Sequence, residues 1–548
     1  MFVRNKKSGP YEYLQIVENH RNGTKVNQRV ISTLGRLDRL IAKGEIESLV
    51  RSLSRFSQQT LLVLSGKSEL LAEAKKIGPA LIFERLWDQL GMGKVLKELL
   101  ADRFFSFDVE RAVFLTVLHR LMLSGSDRFC EKWRRDYLIR GADDLALHHL
   151  YRAMAFLGEE VEDQDHATPF SPRCTKDLIE ERLFQGQRHL FQGLDLAFFD
   201  TTSFYFEGEG GETIGARGYS KDHRPDLNQV VVGVVLDGRG RPICCEMWPG
   251  NTTDVKTLVC VAKRIRERFQ VANFCLVADR GMISQDTMKK FDDPKTGVPY
   301  ILGVRMRNVK VVREEVLSDT QEFREIRPEG KSSKDPSPLQ VKEVRVAARR
   351  YIVCLNPKQA RKDRADREAI VASLEDQLKK GDKSLVGNRG FRRYIKSEKD
   401  AFSIDLQKVE EEARFDGKWV LTTNTKLPAD AVALKYKELW MVEQTFRDAK
   451  SLLETRPVFH KRDETIRGHL FCSFLALVVK KELYRRIEAA GHSFEWSDIK
   501  QDLKSLQEVT IEEEGKKLVI RTQCEGTCGK VFKAVGVAVP PAIREIAG

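Results

Sequence analysis

The chain has 548 residues, too many for one ordinary hydrophobic core, and 41% of them are hydrophobic, which is enough for packed interiors. Its 93 Lys and Arg residues exceed its 80 Asp and Glu residues by 13, a basic balance that favours a polyanionic partner, most often nucleic acid. The longest apolar run, Leu470 to Val479, is about half a membrane span, and the ten cysteines form no paired framework, so a membrane protein and a disulfide-rich secreted protein are excluded and a soluble intracellular chain is expected.

The first 60 residues have the pattern of a β-hairpin region. Tyr11 to Val17 and Val26 to Ile31 are predicted as two short strands, and Asn22-Gly23 between them is a turn signal. Such a ribbon could contact DNA or serve only as structure, and the pattern leaves both interpretations open.

From residue 79 to 185 the apolar residues recur with helical spacing, as in Leu86 and Leu90. Basic side chains such as Lys132 and Arg134 punctuate the helices. We therefore expect a helical domain that binds DNA, with a purely structural helical scaffold as the alternative.

The segment from 194 to 292 changes to an α/β pattern. A turn at Asp237-Gly238 and a helix cap at Thr252 or Thr253 separate its elements. The predicted elements are strands over Leu194 to Phe206, Val230 to Leu236, Ile243 to Trp248 and Phe274 to Ala278, a helix before the last strand and a helix near 284 to 291. Three hairpin-linked strands followed by a crossover to a fourth begin the ribonuclease-H-like fold, so the predicted fold class is α/β.

Residues 298 to 415 predict a basic, β-rich insertion into this core. Between 301 and 400 there are 25 Lys and Arg and 16 Asp and Glu, an excess of 25 − 16 = 9 positive charges. The predicted pieces are strands at Val309 to Val312 and Val341 to Leu355, a loop over Pro328 to Pro338 and a charged helix over Arg361 to Lys380. The excess charge predicts contact with DNA phosphates, although a solvated helix face is the alternative because acidic residues partly cancel it.

The core resumes from 418 to 488. Trp419 to Thr423 predicts a buried strand, Pro428 to Leu453 one long helix, and Glu464 to Ile487 a further apolar helix. Residues 493 to 548 form a C-terminal region of unassigned role. Its Cys524 and Cys528 lack a second Cys or His pair to complete a zinc site, so we interpret them as structural.

Two carboxylates in predicted strands indicate metal chemistry. Asp200 lies on the apolar face of its strand, where a buried carboxylate costs several kcal/mol unless it is paired or binds a metal. Asp279 directly follows the fourth strand, and adjacent strands lie about 5 Å apart, so the two acids can share cations. Two Mg²⁺ ions about 4 Å apart can hold the attacking and leaving oxygens of a phosphoryl displacement. A salt bridge or a turn hydrogen bond is the alternative for each acid.

Spacing in the long helix suggests a third acid. Tyr436, Glu443 and Lys450 are seven residues apart and therefore lie near one face of a regular helix. Arg447 lies one turn beyond Glu443, and taken alone these two residues would be an ordinary surface pair.

The segments around these acids resemble the DDE transposases of bacterial insertion sequences. Asp200 in LAFFDTTSFYFEG, Asp279 in CLVADRGMIS and Glu443 in YKELWMVEQTFRDAK occur in that family's order. The similarity is to the insertion-sequence-four superfamily and particularly to its sixteen-thirty-four branch, and GYSKDHRPDLNQ, PGNTTD, RPVFH and RGHLFCSFLAL support it. It covers about residues 195 to 485 and, more loosely, the N-terminal hairpin. The superfamily's third motif has an Arg where this chain has Leu439.

The resemblance implies a DNA transposase with a ribonuclease-H-like core interrupted by the β-rich insertion. Asp200, Asp279 and Glu443 would hold two Mg²⁺ or Mn²⁺ ions. The enzyme would cleave double-stranded DNA at the terminal inverted repeats of its element and join the released 3′-hydroxyls to target DNA. It would do so as a homodimer bound to cytoplasmic DNA of a bacterial cell.

The resemblance also implies roles for basic and aromatic residues near Glu443. Lys450 and Tyr436 would contact the DNA backbone, and Arg447 is a further candidate for the same contact. Two other functions fit the same residues: a ribonuclease-H-like nuclease or resolvase that cuts without joining, and a DNA-binding regulator derived from a transposase. Loss of an acid would indicate the regulator, and all three acids are present.

Overall fold

The computed structural model of the chain describes residues 1–22, 25–54, 71–168, 171–186, 196–271, 274–293, 297–326, 339–379, 391–398, 401–513 and 516–546. The chain divides into two compact units. One unit is Met1–Ala72 with Glu512–Gly515, and the other is Glu73–Ile511 with Lys516–Gly548. Within the described residues, every helix is too short or too polar to cross a membrane.

The first unit contains a three-stranded antiparallel sheet and two helices. The predicted hairpin is present, but the structure adds a strand before it, and the expected turn residue Gly23 lies outside the described residues. The added strand is almost entirely exposed, so it has no apolar alternation by which sequence could show it. The elements are β1 (Phe2–Ser8), β2 (Tyr11–Asn22), β3 (Lys25–Arg36), α1 (Leu37–Ala42) and α2 (Glu45–Ser54).

The second unit begins with the predicted helices, after a short strand. Asp108 and Ser126 cap two of these helices by accepting hydrogen bonds from the N–H groups of Arg111 (3.0 Å) and Phe129 (3.2 Å). The fifth helix, α5, is buried on all sides, so it forms part of the core; a DNA-binding role for this domain stays a prediction. The elements are β4 (Leu71–Lys76), α3 (Gly78–Gln89), α4 (Met92–Leu99), α5 (Val109–Met122), α6 (Asp127–Trp133), α7 (Leu147–Gly158) and α8 (Thr175–Gly186).

The predicted α/β segment follows in the expected order. Its first three strands pair antiparallel in sequence, and the fourth lies beside the first and parallel to it, so the predicted crossover is confirmed. The middle strand is buried along its whole length, as its continuous apolar sequence predicts. The elements are β5 (Leu196–Tyr205), β6 (Gln229–Asp237), β7 (Pro242–Pro249), α9 (Asp254–Phe269), β8 (Cys275–Ala278) and α10 (Gln285–Phe291).

The predicted insertion extends this same sheet. Among the described residues the sheet has nine strands in the order β10-β11-β12-β15-β9-β8-β5-β6-β7. Val309 to Val312 is not the predicted strand, because Val312 and Val316, four residues apart, are buried together on one side of a π-helical turn. The loop expected at Pro328 to Pro338 lies outside the described residues. The elements are β9 (Tyr300–Val304), β10 (Arg324–Ile326), β11 (Leu339–Val346), β12 (Arg349–Leu355), α11 (Pro357–Lys379), β13 (Ile395–Glu398), β14 (Ala401–Ile404), α12 (Leu406–Ala413) and β15 (Lys418–Thr423).

The prediction of a single long helix over Pro428 to Leu453 is wrong, because the structure has two helices with a break between them. The N–H groups of Glu438, Leu439, Met441 and Val442 each bond the carbonyl three residues back, which tightens the chain and separates two helices. The second of them ends in a π-helical turn at Asp448–Leu452. The elements from here are α13 (Ala429–Lys437), α14 (Trp440–Arg447), α15 (Asp463–Ala489), α16 (Trp496–Ser505), β16 (Gln507–Glu513), β17 (Lys516–Arg521), α17 (Cys528–Val535) and β18 (Ile543–Ile546).

A set of buried ion pairs ties α8 and α9 to the sheet. The guanidinium of Arg268 lies 2.7 Å from Glu180 and 3.0 Å from Glu246 on β7. Burial alone would raise the pKa of Asp177, but Lys176 and Arg268 beside it hold that pKa well below its usual range. We call this group the buried charge cluster, and its members are Lys176, Asp177, Glu180, Glu246, Arg264 and Arg268.

Candidate active site

The parallel pairing of β5 and β8 brings two of the predicted acids together. Phe199 on β5 pairs with Ala278 on β8, and the next residue on each strand is an aspartate, Asp200 and Asp279. Strands in a sheet are about 5 Å apart, so the two carboxylates leave neighbouring backbones at the same level of the sheet.

Asp200 is a carboxylate without adequate compensation. Its side chain is 21% exposed, and its Oδ1 accepts a hydrogen bond of 2.7 Å from the N–H of Thr201. Burial, helped by the charges of Asp279 and Asp254 and opposed by Lys221, raises the pKa of Asp200 to about 6. A group in this state gains from a nearby cation.

Asp254, which the sequence interpretation did not select, is a third acid at this place. It is the first residue of α9, and its Oδ1 accepts a 2.6 Å hydrogen bond from the hydroxyl of Thr201. Lys221 Nζ lies 3.2 Å from Asp254 and 3.9 Å from Asp200 Oδ1, and it also donates to the carbonyl of Thr201 at 2.7 Å. The signal was present in the PGNTTD segment, but an aspartate at a helix start is so common that it indicates no site by itself.

Tyr436 lies behind the acids. It is mostly buried on α13, and its hydroxyl donates a 2.8 Å hydrogen bond to Asp279 Oδ1. Burial, and then the charge of Asp279, raise the pKa of Tyr436 far above its usual range, so the hydroxyl keeps its proton. A Cβ at Gly303 would lie 2.3 Å from that hydroxyl, so only glycine leaves room for this contact. In this structure Tyr436 therefore orients Asp279.

Glu443 is exposed on α14, the helix that packs against β5 and β6. Val442 and Phe446 on that helix belong to the same hydrophobic cluster as Phe198 and Phe204 of β5. Asp200 has the strand parity of these two phenylalanines and so belongs to the side of the sheet that α14 covers.

Within the described residues, the three predicted acids do not all lie within 4.8 Å of one another. Within the described residues, Asp127, His460 and His469 are the one His, Cys, Asp or Glu group whose ligand atoms all lie within 4.8 Å of one another. Two ions about 4 Å apart, each about 2 Å from its ligands, need carboxylate oxygens spread over up to about 8 Å, so a two-ion site does not require tighter grouping.

The Asp127, His460 and His469 group is a hydrogen-bond cluster around an arginine. His469 Nε2 donates to the carbonyl of Thr455 at 3.1 Å, which leaves its Nδ1 to accept from Arg120 at 2.9 Å. Burial lowers the pKa of His469 to about 3, so its ring is neutral. Arg120 also lies 3.5 Å from Asp127, so its guanidinium already supplies the positive charge that a metal ion would bring.

The basic residues predicted to contact DNA differ from one another. Lys450 is largely buried and its Nζ lies 2.8 Å from the carboxylate of Asp222. Arg447 is exposed and donates to Gln444 at 3.2 Å. Leu439, which replaces the family's Arg, is 6% exposed and packs into the core, so this chain makes an apolar contact at that position.

Asp200, in the middle of β5, and Asp279, directly after the parallel strand β8, leave neighbouring backbones side by side, and Lys221 links Asp200 to a third carboxylate, Asp254, at the start of α9. A family model described as the transposase DDE domain matches residues 192–479, more than half of the chain. A second, described as the IS1634 family transposase N-terminal domain, matches residues 2–68. The chain belongs to the DDE transposases and, among them, to the IS1634 family, which confirms the resemblance noted from its motifs.

Similarity to solved structures is distant. The piggyBac transposase synaptic complex with hairpin DNA, determined by cryo-EM, is similar with a TM-score of 0.39 and 10% sequence identity over 78% of this chain and 79% of that chain. No curated protein matches the chain in sequence.

Proposed function

We propose that this transposase cuts DNA at the ends of its insertion sequence and joins the released 3′-hydroxyls to target DNA, using two divalent ions held by Asp200, Asp279 and Glu443. The observation that carries the proposal is the parallel register of β5 and β8, which brings Asp200 beside Asp279, and the helix of Glu443 packs against β5. The strand order around β5 also supports a ribonuclease-H-like core.

The donor set fits Mg²⁺ or Mn²⁺. All candidate ligand atoms are carboxylate oxygens, which hard divalent ions prefer. Asp200, Asp279 and Asp254 together carry three negative charges. The ammonium of Lys221 lies 3.9 Å from Asp200 and 3.2 Å from Asp254, so these two acids already share one positive charge of the chain. When bound, the ions would stabilise the charge on the attacking and leaving oxygens of the phosphoryl displacement.

The chain's own residues position these ligands. Tyr436 fixes the orientation of Asp279 through its hydrogen bond, and the Thr201 N–H fixes Asp200. Lys221 neutralises Asp254, so Asp200 and Asp279 keep most of their charge for the substrate side.

The proposed reaction has two displacements at phosphorus. In the first, a water oxygen bonds to the scissile phosphorus, the bond to the 3′-oxygen breaks, and the leaving oxygen takes up a proton to become the 3′-hydroxyl. In the second, that hydroxyl gives up its proton and bonds to a target phosphorus, the bond from that phosphorus to the target 3′-oxygen breaks, and the displaced oxygen takes up a proton. The partners are therefore two double-stranded DNAs, the terminal inverted repeat and the target. The net charge of +13 and the exposed Arg447 beside Glu443 support binding of both, and we propose that a homodimer holds them.

A cleavage and strand-transfer assay with the full-length chain tests the proposal. A labelled end duplex and a target plasmid are incubated with Mg²⁺, with Mn²⁺ and with EDTA. We expect nicked ends and joined products with either ion and neither product in EDTA. Cleavage without joining would indicate the nuclease alternative, and binding without cleavage would indicate the regulator.

The third ligand is tested by Glu443→Gln. We expect loss of cleavage by about a thousandfold or more, with binding of the end duplex retained, because the variant keeps the shape and removes a ligand charge. Glu488→Gln is the matched control, an exposed glutamate near the end of α15. A Glu443→Gln chain that cleaves as well as this control would remove Glu443 from the site.

A further inference from the structure

Two cations converge on one buried acid beside the active site. Asp222, 6% exposed, places Oδ1 2.8 Å from Lys450 Nζ and Oδ2 3.2 Å from Arg456 Nε. The neighbouring residue Lys221 is the one that reaches Asp200 and Asp254. Consecutive residues of one loop therefore serve the catalytic acids and a separate pair of cations.

The cation pair is held from its far side. The N–H of Val458 bonds the carbonyl of Tyr205 on β5 at 3.0 Å, and the carbonyl of Thr455 accepts from His469, so the segment that carries Arg456 is fixed at both ends. The guanidinium of Arg456 lies over the ring of Tyr205, with its centre 5.6 Å from the ring centroid. The backbone that carries Arg456 is thus fixed by contacts other than Asp222.

The pair lies along the strand of Asp200. Lys450 Nζ is 5.7 Å from the ring centroid of Phe204, four residues beyond Asp200 on β5, and Tyr205 is the fifth. At about 3.3 Å per residue, the two residues whose rings the cations face lie roughly 13–17 Å along β5 from Asp200. This equals about four or five nucleotides of one DNA strand at about 3.4 Å each.

Asp222 accepts a hydrogen bond from Lys450 but meets the hydrogen-bonding capacity of the two cations only in part. Its Oδ2 and the Nε of Arg456 face each other without hydrogen-bond geometry, and within the described residues neither atom has a hydrogen-bond partner. One carboxylate meets two cations here, and Lys221 adds a third positive charge nearby. Guanidinium and ammonium groups together are a preferred setting for a phosphate, whose oxygens point in more directions than those of a carboxylate.

We propose that Lys450 and Arg456 form a phosphate subsite for the DNA strand that enters the active site, and that Asp222 occupies this subsite until a backbone phosphate of the element's end displaces it. The inference rests on the proposed function for the identity of that strand. Asp222 is a built-in competitor, and its removal strengthens DNA binding. An acid that merely positioned Lys450 and Arg456 would have the opposite effect.

The first experiment measures binding of an end duplex in EDTA, where no cleavage occurs, at several salt concentrations. We expect Asp222→Asn to bind about tenfold more tightly at low salt, with a salt slope steeper by about 0.9 because one more phosphate is neutralised. Asp226→Asn is the matched control, since Asp226 lies in the same loop and pairs with exposed Arg224 at 2.9 Å. Binding by Asp222→Asn that is equal to or weaker than that of this control would overturn the proposal.

The second experiment needs no change at the buried acid. Single phosphates of the end duplex are replaced by neutral methylphosphonates, and binding is compared for the natural chain, Arg456→Gln and Arg456→Lys. We expect one phosphate within about five nucleotides of the scissile position whose neutralisation weakens the natural chain and Arg456→Lys about tenfold but leaves Arg456→Gln unchanged. If every end-duplex phosphate affects the natural chain and Arg456→Gln equally, the subsite does not exist. Both readouts are binding, so a chain that failed to cleave would contradict the proposed function and leave this test standing.

Discussion

Two groups of charged side chains in the same domain are built in opposite ways. In the buried charge cluster, Arg268 touches Asp177, Glu180 and Glu246 within 3.2 Å, and Lys176 and Arg264 complete the pairing. At the active site Asp200 and Asp279 lie together, and the nearest ammonium is 3.9 Å from Asp200 and committed to Asp254. The first group has its cations within the chain, whereas we propose that the second completes its charge balance with a cation from solution.

The pKa values express this difference. The pKa of Asp177 is depressed although burial opposes this, while that of Asp200 is raised to about 6 chiefly by burial. Burial alone therefore does not identify a catalytic acid. What identifies a candidate catalytic acid is burial without a close cationic partner, and the position of such partners is visible only in the structure.

The largest effect of a substitution is expected at the active site, in the rate of DNA cleavage. Asp200→Asn should lower the rate of end cleavage by at least about a thousandfold, since it removes a ligand charge from a carboxylate that touches the ions in the proposed site. Asp254→Asn should lower it by only about ten- to a hundredfold, because Asp254 acts through Lys221. Gel assays of both variants beside Asp226→Asn check this order, and equal losses would place Asp254 among the ligands.

A substitution in the buried charge cluster is expected to lower the stability of the fold. Asp177→Asn should lower the free energy of unfolding by about 3–5 kcal/mol, since it leaves Arg264, Arg268 and Lys176 short of a buried partner. Asp163→Asn, at an acid whose side chain is 60% exposed, should change it little. Denaturant unfolding measures both, and a stable Asp177→Asn chain would show that the cluster is not what holds α8 and α9 to the sheet.

Much of this contrast follows from sequence. The alternating and continuous apolar runs predict β5, β6, β7 and β8 in order, and the motif order predicts the acids. Asp254 and Lys221 escape such reasoning because their contacts cross between separate elements. The single helix expected to carry Tyr436, Glu443 and Lys450 is interrupted, because hydrogen bonds of three-residue span at Glu438 to Val442 separate α13 from α14. That the strands of the insertion join the core sheet becomes apparent only through the hydrogen bonds between β12 and β15.

In the metal-free chain, replacement of Asp200 should raise the free energy of unfolding, whereas replacement of Asp177 should lower it. The folded pKa of about 6 lies above the ordinary value of 3.8, so the carboxyl's favourable contribution is complete below about pH 4 and is lost as the pH rises through 6. Asp200→Asn should therefore be more stable than the natural chain by about 1–3 kcal/mol at pH 7.5, and equal to it at pH 4. Thermal unfolding in EDTA at both pH values measures this, and destabilisation at pH 7.5 would mean that Asp200 is already paired.

The smallest effect concerns the charged helix α11. Of the four basic residues between 361 and 367, Arg367 pairs with Asp416 and is 10% exposed, so it belongs to the fold, whereas Arg361, Lys362 and Arg364 extend into solvent. Neutralising these three should flatten the salt dependence of DNA binding by about one unit of slope, for all sequences alike. Arg364 contributes least because it pairs with Glu368 at 2.9 Å. An unchanged slope would make this helix a solvated face.

The central claim is that the uncompensated carboxylates hold divalent ions, and Mn²⁺ binding tests it most directly. The full-length chain bound to a pre-cleaved end duplex, which undergoes no further hydrolysis, is titrated with Mn²⁺ while free Mn²⁺ is followed by electron paramagnetic resonance. We predict that Asp200→Asn weakens binding at least tenfold, whereas Asp226→Asn binds as the natural chain does. Equal Mn²⁺ binding by all three chains would contradict the account.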